Sequence, residues 1–92
     1  MNEKLIERKL REGVRRLGGM ALKFTSPSFT GVPDRIVMLP GGKVWFVEIK
    51  TTGKPLKPRQ QVVFPQFAKL GCGVTVIDDQ QKLDNFLNLI AR

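Results

Sequence analysis

Seven residues from Val44 to Lys50, VWFVEIK, set the tightest limit on the fold. The run is short, and rich in β-branched and aromatic side chains, so it reads as a strand. A Pro40-Gly41-Gly42 turn precedes it, and before the turn lies a second apolar run from Arg35 to Leu39. Two apolar runs across such a turn form a hairpin. Side chains alternate along a strand, so Glu48 and Lys50 project together while Val47 and Ile49 point the other way. A carboxylate and an ammonium in an apolar strand are costly unless paired or put to use.

The flanking segments read as follows. Residues 3 to 17 form a helix, with Ile6, Leu10, Val14 and Leu17 at helical spacing, and Gly18-Gly19 ends it. Arg8, Arg11 and Arg15 share another face. Met20 to Phe24 is a short strand, and Thr25 to Pro33 a loop broken by Pro27, Gly31 and Pro33. Thr51 to Lys57 is a polar loop. A helix follows from about Pro58, where proline is tolerated at the first position. Pro65 inside it is expected to kink it or mark a second start, and Gly71 closes it. Val74 to Ile77 is a fourth strand. Asp78 is expected to cap the last helix, with Gln81 completing a capping box, and Leu83, Phe86, Leu87 and Ile90 are its buried stripe. The order α-β-β-β-α-β-α predicts an α/β fold: a mixed central sheet of about four strands flanked by helices. The helix between the third and fourth strands favours a right-handed parallel crossover. A chain of 92 residues holds one modest core, hence one domain over 1–92.

Composition narrows the function. One cysteine and no histidine exclude an internal disulfide and leave no usual zinc ligand set. Sixteen basic against eight acidic residues give a net charge of +8. That excess points to a polyanion, nucleic acid first, although many small proteins are basic without a specific partner. No apolar run approaches a membrane span, and the N-terminus lacks the apolar middle of a secretory signal. A cytoplasmic protein with no membrane partner is expected.

A second carboxylate lies in Gly31-Val32-Pro33-Asp34-Arg35, where a glycine-containing loop enters a strand. With the turn near 41–42, residue 34 falls opposite about residue 49, so Asp34 and Glu48 converge. Read alone, Asp34 is a turn residue and Glu48–Lys50 a structural ion pair. Together, two close carboxylates repel unless a cation compensates. Hard oxygen ligands without His or Cys select Mg²⁺ or Mn²⁺. Such an ion activates water and neutralises phosphate charge, while Lys50 can orient the water or stabilise phosphate oxygens. Glu7 borders the apolar stripe of the first helix, about 20° from Val14 on the helical wheel, with Glu3 one turn earlier as the competing carboxylate. By spacing alone Glu7 is an ordinary boundary residue. Lys57-Pro58-Arg59-Gln60-Gln61 opens the second helix, a solvated start or a place for phosphate.

An aspartate at a strand start followed by Glu-x-Lys on the next strand resembles the PD-(D/E)xK nuclease superfamily. More closely, IERKL, ALKFTSPSFTGVPDR, VWFVEIK and LKPRQ resemble the VRR-NUC domain family in its small stand-alone phage and bacterial form. The resemblance runs from about Ile6 to Asp78, and Pro65 departs from its pattern. It implies a restriction-endonuclease-like sheet and a Mg²⁺- or Mn²⁺-dependent endonuclease acting on DNA, with no small-molecule cofactor. It implies that Asp34, Glu48 and the Ile49 carbonyl ligate the metal, that Lys50 is the catalytic lysine, that Glu7 is the helical glutamate, and that Gln60 rather than Gln61 is the family glutamine. The resemblance further implies a homodimer that acts on branched DNA such as four-way junctions. The same residues also admit a non-catalytic nucleic-acid-binding module, or an assembly subunit that is basic by accident.

Overall fold

The apolar periodicities close into two layers over one sheet. The computed structural model describes residues 1–92. Its elements are α1 (Glu3–Arg16), β1 (Met20–Lys23), β2 (Arg35–Leu39), β3 (Lys43–Ile49), α2 (Pro58–Lys69), β4 (Gly73–Ile77) and α3 (Gln80–Ile90). The four strands lie in the order β1-β2-β3-β4. The first two pairings are antiparallel; β3 and β4 pair in parallel, with α2 as the connection between them. The expected mixed sheet and element order are both present.

Alternation along the strands decides which face carries what. Val37, Leu39, Val47, Ile49 and Ile77 point to one face, where they pack with Ile6, Leu10 and Val14 of α1 and Leu83, Phe86 and Ile90 of α3. Complete burial of each such side chain is worth about 1.5–3 kcal/mol, so this layer is the main source of stability. On the opposite face Phe46 stacks against Phe24 and against Phe67 of α2, with ring centroids 5.5 and 5.0 Å apart. Val63 and Phe64 of α2 are buried there as well.

Helix ends follow local chemistry. Asn2 caps α1, its side chain accepting from the Leu5 N–H at 2.9 Å. At the other end Gly18 has φ +84°, and the Gly18 and Gly19 N–H groups donate to the carbonyls of Arg15 and Val14 (2.9 and 3.0 Å). This left-handed closure gives carbonyls of the last turn their N–H donors and suits glycine.

Four expectations need correction. Asp79, not Asp78, caps α3 and accepts from the Lys82 N–H at 2.8 Å, while Asp78 instead pairs with the Lys82 ammonium. The Gln81 side chain bonds Asn85, so no capping box forms around it. Pro65 does not mark a second start: α2 runs unbroken from Pro58 to Lys69. Proline removes one backbone donor, and packing of Val63, Phe64 and Phe67 on the sheet holds the helix through that gap. The hairpin is centred on Gly41, since Leu39 pairs with Lys43 and Arg35 with Val47. Extending this register sets Asp34 opposite Glu48, one residue from the expected partner.

Candidate active site

Asp34 and Glu48 meet where β2 begins and β3 ends, and each carboxylate is fixed by the other's strand. The Asp34 N–H donates to Glu48 Oε1 at 3.0 Å, and the Ile49 N–H donates to Asp34 Oδ1 at 3.2 Å. The Asp34 carboxylate thus replaces the ladder acceptor that β2 would have supplied to the Ile49 N–H had it continued. Within a strand, a residue's N–H and C=O point to the same edge. The Ile49 carbonyl therefore also points toward the end of β2, beside Asp34.

The loop before Asp34 is shaped by packing. Gly31 has φ +86°, and a Cβ there would come within 2.6 Å of Arg59 Cγ at the start of α2. Pro33 is fully buried. Arg59 also stacks over the Phe29 ring, 5.0 Å from its centroid. Loop and helix start are thereby locked together, and the Phe24 N–H donates to the Asp34 carbonyl at 2.9 Å. The aspartate is held on a rigid frame.

Glu48 and Lys50 project to the same face as alternation requires, with Lys50 Nζ 3.2 Å from Glu48 Oε2. They are the two buried charged residues of the chain, 4% and 8% exposed. Asp34 is half-buried. Its carboxyl is raised from 3.8 to about 6, first by loss of solvent and next by the negative charge of Glu48, against the lowering effect of the Ile49 N–H and Arg35.

Two hollows open on either side of this pair. Asp34, Ile49 and Glu3 border both. The hollow on the α2 side adds Glu48, Lys50, Lys54, Lys57 and Gln60. The one on the α1 side adds Lys4, Glu7, Arg11, Lys23 and Arg35. Gln60 faces the site while its Oε1 accepts from the Lys57 N–H at 2.9 Å, whereas Gln61 turns away to bond the Leu56 carbonyl. Glu7 does reach the α1-side wall, but both its oxygens take Arg11 Nη1 (2.9 and 3.1 Å). Glu3 lies nearer Asp34 and its charge adds to the rise in that carboxyl.

The donor set fits a hard divalent cation. Two carboxylates and a backbone carbonyl converge on an open cleft, and no group of three Asp, Glu, His or Cys side chains is close enough to form a closed cage. Mg²⁺ is commonly held by one or two carboxylates with water and phosphate completing the shell.

The whole chain is similar to known proteins. No family model matches the chain. It is 45% identical over 80 residues to "Putative nuclease p44" of Acyrthosiphon pisum secondary endosymbiont phage 1, covering 87% of this chain and 86% of that protein. A solved structure described as a VRR_NUC domain superposes with a TM-score of 0.87 at 30% identity, over 94% of each chain. This chain belongs to the VRR-NUC family. The VRR-NUC fold accounts for the position of Asp34, Glu48 and Lys50 at one mouth of the sheet. Sequence reasoning placed all three there, and Gln60 beside them. It passed over Arg35 and Lys23, which line the α1-side hollow, and Lys54, which lines the α2-side one. For Arg35 and Lys23 the signal was alternation: a residue next to Asp34 on a strand must point to the α1 side.

Proposed function

We propose that this protein is a metal-dependent DNA endonuclease whose reacting phosphate sits against Asp34, Glu48 and Lys50. The observation that carries this reading is the interlocked carboxylate pair at the edge of a basic cleft, Asp34 half-exposed and Glu48 buried, with a buried lysine 3.2 Å from one of the Glu48 oxygens. Asp34, Glu48 and the Ile49 carbonyl would hold Mg²⁺ or Mn²⁺, with a carboxylate of α1, Glu3 or Glu7, at the rim. When bound, the ion supplies positive charge for the phosphate oxygens and a water of lowered pKa.

The chain's own groups do the rest. Glu48 holds the Lys50 ammonium at the cleft. The remaining Lys50 N–H donors face the hollow, where they orient the attacking water or stabilise charge on a non-bridging phosphate oxygen. Hydrolysis forms one bond from water oxygen to phosphorus and breaks one phosphorus–oxygen bond, and the departing oxygen takes a proton. Gln60, anchored through its Oε1, presents its amide N–H groups to the same hollow. Lys54 and Lys57 extend the positive wall along which a strand lies. The substrate is branched DNA such as a four-way junction, and the acting species is a homodimer, whose two-fold symmetry would match paired cuts. No helix is long and apolar enough to cross a membrane.

The test is cleavage of labelled linear duplex, flap and four-way-junction DNA with Mg²⁺, Mn²⁺ or EDTA, by wild type, Lys50→Ala and Lys50→Gln. Paired cuts in the junction that need metal and Lys50 are expected, with circular dichroism confirming that the variants fold. Equal cutting of all substrates would remove the branch selectivity. Binding without cutting under every metal would replace the nuclease with a nucleic-acid-binding module.

A further inference from the structure

The α1-side hollow holds cations that the cleavage chemistry does not use. Arg35 follows Asp34 and lies on the opposite face of the sheet from Glu48, and Lys23 is its direct partner across the β1–β2 pairing. Lys4 and Arg11 of α1 stand across from them. Three carboxylates share the wall, but Glu7 is neutralised by Arg11 and Asp34 belongs to the carboxylate pair. Four cations, Lys4, Arg11, Lys23 and Arg35, against the three carboxylates leave the wall with a net positive charge, which favours an anion.

Arg35 is the group that marks the ligand's place. Its guanidinium makes one hydrogen bond, from Nη1 to the Asp34 carbonyl at 3.1 Å. Its Nε is buried and has no partner. A buried donor left unpaired is unusual in a native protein and calls for a ligand or a function. The planar fork of an arginine matches two oxygens of a phosphate, and here the backbone of the catalytic aspartate itself holds one arm of the fork. The hollow has a volume of about 330 Å³, room for a phosphate with its water. It adjoins the cleavage site through Asp34 and Ile49, which border both hollows.

We propose that Arg35, with Lys23 beside it, grips the backbone phosphate next to the one that is cut, and so sets which bond of the strand lies at Asp34 and Glu48. The inference rests on the nuclease reading. Arg35 is a positioning residue: it touches the neighbouring phosphate and not the reacting one. Its link through the Asp34 carbonyl ties phosphate capture to the placement of a metal-binding carboxylate.

The experiment pairs protein and DNA changes. A short DNA that the wild type cuts is made with one neutral methylphosphonate in place of each phosphate in turn around the cut. For the wild type, neutralising the phosphate beside the cut is expected to lower kcat/KM roughly ten- to hundredfold, the worth of a charge-assisted hydrogen bond. Arg35→Gln is expected to lose a similar factor on ordinary DNA and then to be insensitive to the methylphosphonate at that one position. Arg35→Lys should recover part of the loss. Lys23 is exposed, so Lys23→Gln folds regardless and should show the same non-additivity in weaker form. In EDTA, where no cutting occurs, each substitution should reduce the salt dependence of DNA binding by about one phosphate contact. Additive losses from Arg35→Gln and every methylphosphonate, with an unchanged salt slope, would overturn the subsite while leaving the nuclease standing. If the wild type cuts nothing, the nuclease reading fails, and the salt slopes in EDTA still decide whether Arg35 and Lys23 bind phosphate.

Discussion

Replacing Asp34 by asparagine is expected to stabilise the metal-free protein at pH 8. The Asp34 carboxyl titrates near 3.8 in an unfolded chain and at about 6 in the folded one, because burial and Glu48 disfavour its charge. Between these values the folded state binds the proton more tightly. Stability contributed by this group is therefore intact below pH 4, falls as pH rises through 6, and stays lost above it. Each tenfold change in proton affinity is worth about 1.4 kcal/mol, so the difference between folded and unfolded chain corresponds to about 3 kcal/mol. The site opens to solvent on both sides, and screening reduces that to roughly 1–2 kcal/mol. Asparagine keeps an oxygen to accept from the Ile49 N–H, and its amide can face Glu48 without repulsion. For a domain of this size that predicts a Tm higher than wild type by about 4–16 °C at pH 8 in EDTA, using roughly 4–8 °C per kcal/mol. At about pH 3, below the unfolded-state value of 3.8, the difference should nearly vanish. Thermal melts by circular dichroism at the two pH values measure it. With Mn²⁺ added, only the wild type should gain stability, since a ligand that binds the folded state alone raises Tm. An Asp34→Asn protein that melts at or below the wild type at pH 8 in EDTA would refute the argument that the two carboxylates strain each other.

Two further changes probe the frame and the rim of the site. Gly31→Ala combines a left-handed φ of +86° with a Cβ 2.6 Å from Arg59; a loss of about 1–3 kcal/mol and a fall in cleavage beyond that expected from unfolding alone are anticipated, measured by urea melts beside activity. Glu3→Gln should raise the Mn²⁺ concentration needed for half-maximal cleavage more than Glu7→Gln, because Glu3 acts on Asp34 while Glu7 is held by Arg11; the opposite ranking would show that Arg11 releases Glu7 once DNA is bound.

Much of the fold was legible locally because helix and strand periods differ. The stripe Ile6, Leu10, Val14 and the alternation in VWFVEIK each specify one element and one buried face, and Gly18 and Gly71 end helices by backbone conformation alone. The last cap was misplaced because two adjacent aspartates, Asp78 and Asp79, offer the same chemistry; only the end of β4 at Ile77 and the bond to Lys82 choose between them. Pro65 does not restart the helix because a missing donor is a local cost, whereas the packing of α2 on Phe46 that offsets it is not local.

The sequence by itself determined which chemistry was available. It held carboxylates without histidine, a lysine two residues from a glutamate on one strand face, and an excess of cations. Tertiary structure alone decided how those groups combine. The centre of the hairpin set Asp34 against Glu48, and the end of β2 left the Ile49 N–H and the Asp34 N–H for the two carboxylates. The packing of α1 across the sheet brought Glu3 toward Asp34 and tied Glu7 to Arg11. It also enclosed Arg35 with an unpaired Nε beside Lys23. Periodicity reports the face on which a side chain lies. The distance between groups on different elements depends on register and on crossing geometry, and these are properties of the assembled fold.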